Sequence, residues 1–330
     1  MRHIDRALRS NIKLRHLQLL VALDEYRHLG RTAEFLSVTQ PAVSKMLGEV
    51  EEMLGLQLFD RSRRGSEPTA AGVTMLRFAR GVLADYERVR DEVNTIQNGV
   101  AGRVRVGAMV AALPTLLAPA VERIKAEAPA ATISIEEGDL TRLLPRLRLG
   151  ELDLYVGRLE PGYAAPDLLT EPLYDDCMQL VVCPGHPLAG SSSIGWKQLT
   201  ECRFVVPPVW ASMRVKLEQQ FFRHGLIPAK DVVESASFLV QLSFVREQGA
   251  IALMAASVAR HFADQGLIHV LPLAFEADVP PVGLITIRNR PMTAITTRLV
   301  EQLRVGGLWH SAQNESLAVH RKRRQKKARV

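Results

Sequence analysis

The chain has 330 residues, 47% hydrophobic and 23% charged, which is ordinary for a soluble globular protein and leaves room for two or three domains. Its net charge of +7 resides in one place: Arg321, Lys322, Arg323, Arg324, Lys326, Lys327 and Arg329 carry seven positive charges, so residues 1–320 are neutral. No apolar run follows Arg2, Arg6 and Arg9, and the apolar stretch 17–23 is short and ends at Asp24-Glu25, so a signal peptide and a spanning helix are excluded and a cytoplasmic location is expected.

Leu14, Leu17 and Val21, widened by Leu20, form the inward face expected of a first helix. Asp24 to Leu29 breaks that pattern. Residues 31–49, RTAEFLSVTQPAVSKMLGE, then read as two short helical segments around Ser37-Val38-Thr39. Ala33 and Leu36 turn inward in the first segment. In the second, Val43, Leu47, Val50 and Leu54 recur on one helix face. Thr39 is placed to N-cap it, and Pro41 falls in the first turn, where a missing N–H costs nothing. Two helices joined by so short a turn make a helix-turn-helix.

The opposite side of the second helix carries Pro41, Ser44, Lys45 and Gly48, with Gln40 at its tip. It is small, polar and free of acid until Glu49. Such a face suits the major groove: Gln pairs with adenine, Lys reaches guanine or a phosphate, and Ser serves several bases or phosphates. On periodicity alone, an ordinary helical hairpin with a solvated face is an equal reading. Gly55 stops the helix. Gln57-Leu58-Phe59 and a strand after Ser66 form a hairpin with Arg61, Arg63 and Arg64 on its turn. Beside a DNA-reading helix these arginines make a wing for backbone phosphates or the minor groove, the alternative being a solvated surface turn. From Thr69 to Asn98 runs one long helix. Val82, Tyr86, Val89, Val93 and Ile96 form a heptad-like seam along it, which needs a second copy to cover it.

Gly99 to Gly102 is a break, after which the rhythm changes. Strands are expected at 104–107, 131–136, 152–156, 180–183, 204–206, 267–271 and 282–287. Helices are expected at 116–126, 140–149, 213–223, 238–247, 256–263 and 296–303. Alternating strands and helices imply a largely parallel, helix-covered sheet. A second unit inserted into the first gives two α/β lobes and a cleft, with crossings near residues 175 and 271. The final basic run reads as a disordered tail, either with affinity for polyanions or simply solubilising.

No catalytic constellation emerges. Ser191-Ser192-Ser193 lacks the G-x-S-x-G elbow, and Cys183 lies too near His186 in sequence for the usual nucleophile and base. No phosphate-binding or dinucleotide fingerprint appears. Cys177, Cys183 and Cys202 lack metal-ligand spacing and read as free, mostly buried thiols. No enzyme activity, cofactor or metal is therefore expected. The cleft is expected to bind instead, where strand C-termini and helix N-termini bring amides together. Candidates in the first lobe are Met109, Val110 and Ala111 (with Ala112), Gly138 and Asp139, and Arg158. The second lobe offers Pro207 to Trp210, Ser235, Ser237 and the Gly249 turn. Each also reads as an ordinary loop residue. Residues 108–112 bring no side-chain hydroxyl and the next turn brings Asp139, which repels an anion. A neutral, hydroxyl-rich or ring-bearing ligand is expected, with Trp210 as a flat apolar face. Asp139 as a plain helix cap reads equally well.

Leu14-Arg15-His16-Leu17, the run AEFLSVTQPAVSKMLGEVEEMLGLQLFDR and Pro68-Thr69-Ala70-Ala71-Gly72 together resemble the LysR-type transcriptional regulators of bacteria. The likeness covers about Ile12 to Arg304. V-T-Q-P-A-V-S with L-F-D-R is far more specific than a generic helix-turn-helix. Gly30 stands where the family usually has a capping Ser or Thr, and Thr32 where Ala is usual. The VTQPAVSKML and FDRSRRG runs look closest to the galactose-binding-protein regulator branch.

The resemblance implies an α+β multidomain chain. A winged helix-turn-helix DNA-binding domain spans 12–69, and a linker helix that dimerises the DNA-binding halves spans 70–98. A periplasmic-binding-protein-like effector domain spans 99–305, with lobe I at about 103–175 and 272–305 and lobe II at about 176–271. A basic, disordered tail covers 306–330. The implied function is sequence-specific DNA binding and regulation of transcription, as activator or repressor, modulated by a small-molecule effector. Arg31, Thr32, Thr39, Gln40, Pro41, Ser44, Lys45, Arg61, Arg63 and Arg64 are the expected DNA contacts. Expected partners are double-stranded operator DNA, the effector, further copies as dimer or tetramer, and RNA polymerase, with no membrane. The alternatives are a solute-binding protein, against which the recognition helix counts, and an enzyme on the same two-lobed fold, against which the missing catalytic cluster counts.

Overall fold

The computed structural model describes residues 2–62, 65–98 and 102–327. The chain divides into two compact units, Met1–Arg103 with Leu144–Asp153, and Val104–Leu143 with Leu154–Val330. The first unit begins with α1 (Arg2–Arg6) and a π-turn, Ala7–Asn11. There follow α2 (Leu14–Tyr26), α3 (Leu29–Phe35), α4 (Gln40–Leu54), the hairpin β1 (Phe59–Ser62) and β2 (Gly65–Pro68), and α5 (Ala70–Asn98). Its core joins Leu19, Leu20 and Leu23 of α2 to Val43, Leu47 and Val50 of α4 and to Leu58, Phe59 and Leu76. The expected face of α4 is the buried one. That of α2 is so only in part: Leu17 and Leu20 are buried, but Leu14 is exposed and Val21 half-buried, while Leu19 and Leu23 are fully buried. The reason is that α2 packs on α3, α4 and α5 at once, so no single stripe marks its inner side.

Local contacts account for the P-T-A-A-G run. Thr69 donates its hydroxyl to the Gln57 carbonyl at 2.8 Å and accepts from the Gly72 amide at 3.0 Å, capping α5. The Leu58 carbonyl lies so close to Gly72 that a Cβ there would collide with it.

After α5 come β3 (Arg103–Ala108), a 3-10 turn at Val110–Ala112 and a π-turn at Leu113–Leu117, then α6 (Ala118–Glu127), β4 (Thr132–Glu137), α7 (Leu140–Leu149), whose part from Leu144 is counted with the first unit, and β5 (Leu154–Arg158). β6 (Leu168–Tyr174), β7 (Met178–Val182), α8 (Trp196–Leu199), β8 (Phe204–Val206) and α9 (Ser212–Arg223) come next. The chain continues through β9 (Val232–Glu234), α10 (Phe238–Gln248), β10 (Ile251–Ala255), α11 (Ala256–Asp264), β11 (His269–Val270), β12 (Val282–Ile287) and α12 (Ala294–Lys327). Two five-stranded sheets result, ordered β4-β3-β5-β12-β6 and β11-β7-β10-β8-β9. Both are mixed rather than largely parallel: β12 runs antiparallel to β5 and β6, and β7 antiparallel to β10 and β11. The cause is that the chain returns to each sheet from the other lobe, between β6 and β7 and between β11 and β12.

α12 corrects a second expectation. It runs to Lys327, where the sequence suggested a helix ending at Leu303 and a disordered segment from 306. Gly306 and Gly307 would be expected to weaken a helix. They are instead points of close approach, to Leu116 and Leu173, where a Cβ would crowd the neighbour. Beyond them His310 is 4% exposed, hydrogen-bonds the Thr115 carbonyl at 2.9 Å and stacks on Tyr174 at 4.6 Å. That packing carries the helix past the glycines. The cysteines, expected to be mostly buried, are not: Cys177 is exposed and Cys183 and Cys202 are half-buried. No helix among the described residues is long and apolar enough to cross a membrane.

Candidate nucleic-acid interface and ligand cleft

α3 and α4 are joined by Leu36–Thr39, with Ser37 in the left-handed region at φ 55°. Gln40, Pro41 and Lys45 are exposed, and Ser44 is half-buried on the same side of α4. Thr39 occupies the N-cap position but its hydroxyl does not cap. Pro41 has no N–H to offer, and the Ala42 amide already donates to the Thr39 carbonyl at 3.0 Å. The cap expected of Gly30 comes from His28, whose Nδ1 accepts from the Gly30 amide at 3.1 Å. Arg31 is exposed. Thr32 is fully buried and donates its hydroxyl to the His28 carbonyl at 2.9 Å, so it presents no side chain to DNA, contrary to expectation.

The hairpin is fixed to α2 through Arg27. The Arg27 carbonyl accepts from the Ser66 amide at 2.9 Å, and its guanidinium pairs with Asp24 at 2.8 Å and with Glu67 of β2. Asp24 is shared with Arg80 of α5 at 2.7 Å. Gly65 sits at φ 133° against the Arg27 carbonyl, a place open only to glycine. Arg63 and Arg64 lie outside the described residues, as does the side chain of Arg61, whose backbone pairs with Ser66. Along α5, Tyr86, Val89 and Val93 are 44%, 58% and 43% exposed and Val82 is half-buried, an apolar row open on the single chain. The Ile96 side chain lies outside the described set.

In the second unit Met109, Val110, Ala111, Gly138, Asp139, Arg158, Pro207, Pro208, Trp210 and Ser237 from among the expected cleft residues line one cavity of about 700 Å³ between the two sheets. Ala112, Val209, Ser235 and Gly249, also expected there, do not line it. Asp139 caps α7: its Oδ1 accepts from the Arg142 amide at 3.2 Å and from the Thr141 hydroxyl. Arg158 is 2% exposed. Its Nη1 donates to the carbonyls of Asp176 at 3.0 Å and Pro280 at 2.9 Å, and its Nη2 to the Met178 thioether at 3.1 Å. Those carbonyls belong to the two segments that cross between the lobes, so one guanidinium pins both crossings. Burial pulls its pKa down, and the nearby Asp176 charge opposes that shift. Asp176 in turn accepts from the Ser257 amide at 3.1 Å and hydroxyl at 2.6 Å, anchoring the start of α11.

Sequence reading did not single out Tyr155 and Glu160, which also line the cavity. Tyr155 sits in an all-buried strand, and its hydroxyl has no hydrogen-bond partner among the described residues. It lies over Gly157, where a Cβ would collide with the phenol oxygen. Burial, and secondly the charge of Asp139, push its pKa up, so it stays a neutral donor. Glu160 accepts from the Ser212 hydroxyl across the cleft at 3.0 Å. Only the fold brings that pair together, so no local signal marks it.

The chain matches the family models described as bacterial regulatory helix-turn-helix protein, lysR family, over residues 14–73, and LysR substrate binding domain, over residues 97–306. It is 32% identical to the HTH-type transcriptional regulator GbpR of Azospirillum brasilense, over 87% of this chain and 84% of that one. A full-length OxyR variant from Pseudomonas aeruginosa superposes with a TM-score of 0.62 at 26% identity, over 89% of this chain and 98% of that one. A full-length CbnR bound to its target DNA shares the fold, with a TM-score of 0.67 at 21% identity, over 89% of this chain and 100% of that one. Matched over both its helix-turn-helix and its ligand-binding portion, the chain belongs to the LysR family of DNA-binding transcriptional regulators.

Proposed function

We propose that α4 enters the major groove of an operator, with Gln40, Ser44 and Lys45 at base edges and Arg31, Thr39 and Pro41 against the flanking backbone. Arg61, Arg63 and Arg64 hold phosphates beside it. What supports this reading is the leading side of α4, where the exposed Gln40, Pro41 and Lys45 carry no acidic group. The DNA-binding domain spans 12–69, the dimerising helix 70–98, the effector domain 99–305 and the basic segment 306–330. Val82, Tyr86, Val89, Val93 and Ile96 pair α5 with its copy in a second chain, and two such dimers make a tetramer. A small molecule in the cleft changes the geometry of that assembly, and with it the approach to RNA polymerase. The protein acts in the cytoplasm and catalyses no reaction. A mobility shift with the DNA upstream of its own coding region tests the reading. Retardation that survives excess random DNA is expected, and its absence would remove operator binding from the proposal.

A further inference from the structure

We infer that the cleft takes an uncharged, flat, ring-bearing ligand that pairs with the Tyr155 hydroxyl, and turns carboxylates away. This rests on the cleft being the effector site. Four helices, α7, α9, α10 and α11, begin at its wall, and at α11 the Asp176 carboxylate already accepts from the Ser257 amide at 3.1 Å. A helix N-terminus attracts an anion, so each is a place where a ligand carboxylate could be held. At α7 that place is filled by Asp139 itself, bonded to the Arg142 amide and the Thr141 hydroxyl. At α9 Glu160, reaching over from the other lobe, accepts from the Ser212 hydroxyl and sets a carboxylate beside that N-terminus. At α10 the Ser237 hydroxyl accepts from the Val240 amide at 3.5 Å.

The cations offer no alternative. Arg158 has its Nη groups turned to two main-chain carbonyls and a thioether. Arg142 pairs with Glu136 at 3.2 Å and is largely exposed. Glu137, Asp139 and Glu160 therefore outnumber Arg142 and Arg158 among the charged groups of the wall. A carboxylate entering this partly dry space would meet net repulsion, strengthened by the low dielectric. The rest of the wall suits a ring: Met109, Met178, Met213, Phe238 and Pro207 surround it, and Trp210, 62% exposed, stands at the rim. The Tyr155 hydroxyl, covered at this wall and without a partner among the described residues, is a donor that a ligand hydroxyl or carbonyl would satisfy once the wall gives way.

The test is calorimetric titration of the full-length protein with matched pairs that differ by a carboxylate. The pairs are benzyl alcohol and benzoate, and methyl 4-hydroxybenzoate and 4-hydroxybenzoate. The neutral member of at least one pair is expected to bind, with its acid at least about tenfold weaker. Asp139→Asn and Glu160→Gln should each narrow that gap. Tyr155→Phe, checked for an unchanged melting temperature, should weaken the neutral probe about tenfold. An acid that binds as tightly as its neutral partner overturns the inference. So does a gap unmoved by both carboxylate variants, an unaltered affinity in Tyr155→Phe, or binding by no member of any pair. Operator binding by the same preparation keeps the regulator reading separate: its loss would count against that reading instead.

Discussion

Pro41 decides how α4 begins. Lacking an N–H, it leaves the Ala42 amide as the next donor, and the Thr39 carbonyl takes that at 3.0 Å. The Thr39 hydroxyl is thus not spent on a cap and stays exposed at the tip beside Gln40. Gln40→Ala or Ser44→Ala is expected to weaken binding at the cognate site by about 1–3 kcal/mol and to leave random DNA almost unaffected. Gel shifts on both DNAs decide it; equal weakening would mean that these side chains touch only phosphate. His16 gives this unit a dependence on pH. It is 3% exposed, and its Nδ1 accepts from the Lys13 amide at 3.2 Å. Burial lowers its pKa most, Arg15 and Lys13 add to that, and Glu49 opposes. In the unfolded chain it titrates near pH 6.5, so below about that value the unfolded state binds more protons. Stability is then full above about pH 6.5, falls as the pH drops through it, and levels off below the folded pKa. His16→Gln should flatten the fall in melting temperature between about pH 7.5 and 5.5. An identical slope in the variant would show that another group carries the acid sensitivity.

At the scale of elements, the wing and the seam make opposite demands. On the proposed reading the wing arginines act through charge, so replacing Arg61, Arg63 or Arg64 by Ala should reduce affinity for any sequence. Each phosphate left without its arginine flattens log K against log salt by about one unit. A slope equal to wild type would place these arginines in solvent. The seam acts through packing. Val89 and Val93 are 58% and 43% exposed on one chain, so Val89→Asp or Val93→Asp should leave the monomer folded. In a helix pair the same carboxylate would be buried without a partner, and dimers should fail in sedimentation velocity. A wild-type profile would mean that the seam packs on its own chain. These elements also show what a sequence exposes to reading. α4 is buried on one side only, so its period is plain, whereas α2, gripped on three sides, has none. β6 is hidden because Glu171 and Pro172 interrupt LLTEPLY, yet a sheet edge tolerates a proline. β10, IALMA, is hidden because a central strand with every residue buried has no alternation to show. The cleft residues are legible because they follow strand ends. Glu160 is not, since its partner Ser212 lies 52 residues away.

For the whole molecule the main asymmetry is charge. Residues 1–320 sum to zero, and the last ten residues hold the entire surplus. Non-specific attraction to DNA depends on phosphates neutralised and counterions released, so it should draw heavily on that segment, whereas on the proposed reading discrimination between sequences rests on α4. The two are separable because α12 is anchored well before the basic run. Gly306 and Gly307 press against Leu116 and Leu173, and His310 closes on Tyr174 and the Thr115 carbonyl. Arg304 adds a two-pronged pair with Glu171, at 2.7 and 2.8 Å. Removing residues 321–330 therefore spares these contacts, while a cut after 305 removes His310 and leaves the Thr115 carbonyl without its partner. The shorter deletion should keep the melting temperature, lower the affinity for random DNA and flatten its salt dependence by at most about six units of slope. The ratio of operator to random binding should hold or rise. The longer deletion should lower the melting temperature as well. Filter binding over a salt series, with a thermal melt of each variant, reads all of these quantities. A shorter deletion that loses operator discrimination while melting normally would show that the basic segment takes part in sequence recognition.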